Sequence, residues 1–146
     1  MIIKFRHTGI IVSDINKSTN FYSKLLGLKL NHKLYEHGEY FNNLINLKNQ
    51  KAKVSKINLP DKTVIELIQF IPKKNKKKIK YKFDKLKQMH ICFTVKNIDI
   101  FCKNLKKNKI KFISDPLKSD FDPVKTCFFY DPDFNYVQLV EDINGQ

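Results

Sequence analysis

The chain has 146 residues and a formal net charge of +14, with 28 basic side chains of which Arg6 is the only arginine. That length holds one compact domain with a real core and is too short for two ordinary ones. The charge points to an anionic partner, but not to a nucleic acid: readers of bases and phosphates lean on the guanidinium fork, and an excess of lysine accords with an AT-rich coding sequence.

The opening MIIKFRHTGIIV has no charged lead followed by a long apolar core and a cleavage site, and no run reaches membrane-spanning length, so a cytoplasmic protein without a membrane partner is expected. Residues 4–12 are β-branched and aromatic and predict a strand, with His7 near its start and Gly9 leaving room for close backbone approach. Ser13 or Asp14 then caps a helix whose apolar face is Ile15, Phe21, Tyr22, Leu25 and Leu26, with Gly27 as the residue that ends it. Residues 28–36 read as a second strand, 37–50 as a loop or short helical turn, 52–59 as an imperfect strand, and 64–71 as a strand entered through the turn at Pro60 and Asp61. Residues 73–87 carry nine lysines interrupted by Ile79, Tyr81, Phe83 and Leu86. They read as a solvated linker, or alternatively as a basic rim that attracts an anionic substrate.

The second half begins with a strand at 89–95. A helix follows, capped by Asn97, facing the core through Ile98, Phe101, Cys102 and Leu105 and ending near Asn108. The remaining strands are expected at 110–113, 125–130 and 136–141. Cys92, Cys102 and Cys127 are odd in number, widely spaced and set among apolar residues, so they read as buried free thiols rather than a disulfide framework or a metal-binding pair.

The order of elements repeats, and so do the letters. PDKTVIELI from Pro60 returns as PDFNYVQLV from Pro132, pairing Glu66 with Gln138 between matched apolar residues, and HTGIIVSDI from His7 returns as HICFTVKNI from His90. Each half therefore opens on a strand carrying a histidine and closes on a strand carrying a carboxylate or its amide. The modules fall at about residues 4–71 and 89–141, joined by the basic linker 72–88 within a single domain of 146 residues.

HTGIIVSDINKSTNFYSKLLGLKL, VIELIQF, HICFTVKNID and FFYDPDFNYVQLVE together resemble the vicinal oxygen chelate superfamily, the group of glyoxalase I, methylmalonyl-CoA epimerase, extradiol dioxygenases and bleomycin resistance proteins. The resemblance covers residues 4–141. It implies an α+β fold of two tandem βαβββ modules whose curved mixed sheets form a cup, and it implies a homodimer. It also implies a divalent metal ion at four positions, here His7, Glu66, His90 and Gln138. A mixed nitrogen and oxygen set of this kind suits Zn, Ni, Co, Fe or Mn with water positions left open for vicinal substrate oxygens.

Gln138 departs from the carboxylate common at its position and removes the third ligand expected of a ring-cleaving dioxygenase. For glyoxalase and epimerase chemistry the amide is less damaging. There the resemblance implies a small, anionic 2-oxo or 2-hydroxy acyl substrate, an enediolate stabilised by the metal, and a carboxylate that moves the proton. Glu66, the one carboxylate of the four, is the candidate for that catalytic role, with Glu36 and Glu39 as candidates for a second base. The alternative is a non-catalytic small-molecule binder of bleomycin resistance type, with Tyr40, Phe41, Phe134 and Tyr136 as stacking surfaces. Phe134 also stands where the family places a turn glycine, so that hairpin must either avoid positive φ or accept strain.

Overall fold

The computed structural model describes residues 1–72 and 80–144, so the lysine run at 73–79 lies outside the described residues. The chain divides into two compact units, Met1–Lys78 and Ile79–Gln146. In the first unit the elements are β1 (His7–Ile11), α1 (Ile15–Asn20), β2 (Lys29–Glu36), α2 (Gly38–Leu44), β3 (Lys51–Asn58) and β4 (Val64–Ile71). They form a sheet in the order β1-β4-β3-β2. The second unit has β5 (His90–Thr94), α3 (Ile98–Lys107), β6 (Leu117–Lys118), β7 (Val124–Tyr130) and β8 (Tyr136–Asp142), in the sheet order β5-β8-β7-β6. In each sheet the first and last strands of the unit run parallel and the others antiparallel. This is the expected α+β module built twice.

The duplication reaches the hydrogen bonds. Asp14 caps α1 by accepting from the amides of Asn16 (3.0 Å) and Lys17 (3.1 Å), and Asn97 caps α3 by accepting from Ile100 (2.9 Å). In both units a side chain from the last strand takes up one more orphan amide of the helix start. Gln69 Oε1 accepts from Ile15 at 2.8 Å, and Glu141 Oε2 accepts from Ile98 at 3.3 Å. The strand exits match as well, with the Val12 amide donating to Ile68 O at 2.9 Å and the Val95 amide to Val140 O at 2.8 Å.

One face of each sheet is covered by its helix. In the first unit Ile57, Ile65 and Leu67 are buried with Ile15 and Tyr22, and the hydroxyl of Thr19 donates to Ser55 Oγ at 3.0 Å. Below Asn20 the helix widens into one π-helical turn, Phe21–Leu25, before Gly27 at φ 78° ends it. In the second unit Ile98, Cys102 and Leu105 of α3 bury Cys127, Phe129, Val137 and Leu139. Alternation then assigns His7 and Glu66, or His90 and Gln138, to the other face of each sheet.

Three expectations need adjustment. The first strand starts at His7 rather than residue 4, and residues 1–6 are exposed. The strand expected at 110–113 is reduced to a single bridge, Phe112 to Phe129, while the ladder on β7 is made by Leu117–Lys118. Its apolar letters are there to cover the sheet, since the Phe112 and Phe129 rings meet at 5.4 Å. Finally, Phe134 adopts φ 67°. The turn holds it there because the buried carboxylate of Asp131 accepts from the amides of Asp133 (2.8 Å) and Asn135 (2.9 Å) and from Asn135 Nδ2 (2.8 Å).

Candidate functional site

In the first unit β1 and β4 run parallel with His7 opposite Val64 and Gly9 opposite Glu66. His7 and Glu66 therefore lie two positions apart on one face, and Gly9, having no side chain, leaves the space between them open. His7 Nε2 comes to 3.4 Å from Glu66 Oε2. The other carboxylate oxygen, Oε1, takes an ion pair with Lys56 Nζ at 2.8 Å, because Lys56 on β3 is the cross-strand partner of Glu66. Glu66 is thus mostly shielded, with 16% of its side chain exposed against 39% for His7.

The second unit repeats the frame with different chemistry. His90 lies opposite Tyr136, and Cys92 opposite Gln138. Phe128 takes the cross-strand place that Lys56 has in the first unit, and Tyr130 the place of Asn58. The result is an aromatic surround for His90. Phe83 stacks on the imidazole at 6.0 Å and 28°, and Phe128 meets it edge-on at 5.4 Å. Gln138 Nε2 donates to Thr126 Oγ1 at 2.9 Å, which leaves its carbonyl oxygen as the atom available to a cation. Burial, and after it the interaction with the Tyr130 hydroxyl, pushes the Tyr136 phenol above its ordinary range. Cys102 and Cys127 are buried free thiols as expected, whereas Cys92 is exposed because it lies on the sheet face that the helix does not cover; partial desolvation raises its thiol.

The donors can be compared with what a metal requires. Two ligands held about 2.1 Å from one ion at a near-tetrahedral angle are about 3.4 Å apart, the spacing of His7 Nε2 and Glu66 Oε2. That pair fits, and in the second unit His90 and Gln138 hold the equivalent register on their sheet. Among the described residues no group of three or more His, Cys, Asp or Glu is gathered as a metal set. The candidate second bases Glu36 and Glu39 sit at the end of β2 and in the first turn of α2. Of the expected stacking residues, Tyr136 and Phe134 both contact Tyr130, whereas Phe41 packs against Phe70 and Tyr40 is 76% exposed.

Sequence reasoning missed Lys56, Thr126, Phe128 and Phe83 as neighbours of the four predicted residues, and Cys92 as their companion on the sheet face. Two-residue alternation from His90 would have found Cys92; the rest depend on strand register or on the path of the linker. A shallow hollow of about 590 Å³ on the second unit, lined by Val95, Lys96, Ile100, Lys103 and Lys107 among others, contains none of the predicted residues.

Comparison with known proteins follows the same line. Residues 4–139 match the family described as the Glyoxalase/Bleomycin resistance protein/Dioxygenase superfamily. A glyoxalase family protein from Bacillus cereus superposes with a TM-score of 0.88 at 19% identity, over 98% of this chain and 96% of its own. The fosfomycin resistance protein FosX from Listeria monocytogenes, in complex with Mn(II) and sulfate, gives 0.63 at 17% identity, over 97% and 93%. The trypanothione-dependent glyoxalase I of Leishmania major gives 0.67 at 20%, over 98% and 89%. At these identities the likeness is one of fold. No protein of curated function matches the chain. Among the described residues no helix is long and apolar enough to cross a membrane.

Proposed function

Because the chain belongs to the Glyoxalase/Bleomycin resistance protein/Dioxygenase superfamily, we propose that it is a metal-dependent lyase or isomerase of glyoxalase I or epimerase type. Its substrate is a small 2-oxo or 2-hydroxy acyl compound with an anionic group. The observation that carries this reading is the His7 to Glu66 spacing of 3.4 Å across paired strands, repeated in register by His90 and Gln138. His7, Glu66, His90 and Gln138 would hold the ion, with two imidazoles, one carboxylate and one amide oxygen. A divalent ion so bound supplies Lewis acidity at a carbonyl oxygen.

The chain's own groups do the rest. Glu66 is the only carboxylate of the four, so it is the candidate to move the proton on the carbon next to that carbonyl. Lys56, at 2.8 Å from Glu66 Oε1, is the cation that competes with the ion for that carboxylate. The working form is proposed as a cytoplasmic homodimer. Elemental analysis of the purified protein should find about one transition metal per chain, lost when His7→Ala and His90→Ala are combined. No metal in either form after reconstitution would overturn the reading. With metal present, Glu66→Gln should abolish turnover while retaining part of the metal.

One observation favours a second reading, binding without catalysis. His90 lies among Phe83, Phe128 and Tyr136, a surface fit to hold a flat ligand. A small molecule that raises the melting temperature and is recovered chemically unchanged would support it.

A further inference from the structure

The aromatic residues interleaved with the lysines of the linker have a place in the second unit. The Tyr136 hydroxyl donates to the carbonyl of Tyr81 at 2.6 Å, tethering the end of the linker to β8. Two residues on, Phe83 stacks on His90 and is met edge-on by Phe128 at 5.1 Å and by Tyr136 at 4.8 Å. Tyr130 extends the ring surface, 5.3 Å from Tyr136, and Lys80 Nζ stands 4.7 Å from its centre. Among the described residues Lys80 has no carboxylate at ion-pair distance.

The fold does not require this wall. The first unit, built on the same frame, has Lys56, Asn58 and Val64 at the places of Phe128, Tyr130 and Tyr136. Phe83 remains 52% exposed, so much of its surface is open to a partner. A half-exposed ring ordered beside other rings, with a cation at its margin, matches a flat ring that bears an anion.

We propose that the segment from Lys80 to Phe83 selects the substrate of the candidate site, and that this substrate is an aryl 2-oxo acid. Its ring lies against Phe83 and the rings that support it, and its carboxylate meets the ammonium of Lys80. The assignment rests on the reading of the chain as an enzyme of 2-oxo compounds and narrows it from small acyl compounds in general to aromatic ones.

The test is calorimetric titration of the full chain with benzoylformate and with pyruvate, which differ in a phenyl for a methyl group, in Zn(II) and again in chelator. Benzoylformate should bind at least about ten-fold more tightly, the scale of one to two ring contacts. Phe83→Leu keeps apolar bulk but removes the ring, and should cut that preference at least about three-fold. Lys80→Gln should weaken both acids alike. A ratio near one, no measurable binding of benzoylformate in the millimolar range, or a preference that survives Phe83→Leu would overturn the proposal, and unchanged binding in Lys80→Gln would overturn the role of the ammonium. Failure of the metal reading is distinct: Zn(II) then neither binds nor alters either titration, and the preference for the aryl acid is still read in chelator.

Discussion

Lys56→Met separates the two roles that Glu66 can play. Its carboxylate is held by an ammonium at 2.8 Å and faces an imidazole at 3.4 Å; one contact makes it a partner in an ion pair and the other makes it half of a metal chelate. The Lys56 side chain is 31% exposed and that of Glu66 16%, which puts the pair between surface pairs, worth at most about 1 kcal/mol, and buried ones, whose disruption costs about 3–5 kcal/mol. A value of about 1–2 kcal/mol follows, consistent with a hydrogen bond to a charged group. In chelator the variant should therefore melt about 2–8 °C lower. If Glu66 is a metal ligand, removing the rival cation returns the same free energy to metal binding, and Zn(II) or Mn(II) should bind about five- to thirty-fold more tightly by calorimetry. Lower stability with unchanged or weaker metal binding would refute the chelate and leave Glu66 as a structural ion-pair partner.

Other expectations follow from single contacts. Leu139, 1% exposed at the centre of the second core, should cost about 2–5 kcal/mol on change to Ala by chemical denaturation, and a loss under 1 kcal/mol would mean that the core is not packed as described. Phe134→Gly should relieve about 1–2 kcal/mol of positive-φ strain but forfeit the edge contact with Tyr130 at 5.8 Å, for a net change within about 1 kcal/mol; a large loss would show that the ring does more than touch Tyr130. The Asp61 carboxyl is held below 3.8 by the Thr63 hydroxyl and then by the Thr63 amide. Its contribution is present above the pKa of the unfolded chain and is lost as pH falls through the lower folded value. Thr63→Val should move that titration upward by NMR, and an unmoved one would exclude the hydroxyl as the cause.

The sequence by itself determined the duplicated frame, because its signals are local. Capping residues at Asp14 and Asn97, a terminating glycine at Gly27 and two-residue alternation in VIELI and YVQLV are each read within a few neighbours. The matching segments also placed the four candidate ligands at equivalent points of the two modules. The caps from Gln69 and Glu141 extend the same register by one residue beyond the compared letters, so they too were within reach. What surrounds those ligands was decided only by tertiary structure. Lys56 meets Glu66, and Phe128 and Thr126 meet Gln138, through antiparallel register, and a slip of one residue would send each to the opposite face. The short strand β6 replaced residues 110–113 because an apolar run reads alike whether it pairs in a sheet or merely covers one. Phe83 reached His90 along a linker with no period of its own, tied down by one hydrogen bond from Tyr136. Contacts of that kind join residues far apart in the chain, and no nearby pattern of side chains encodes them.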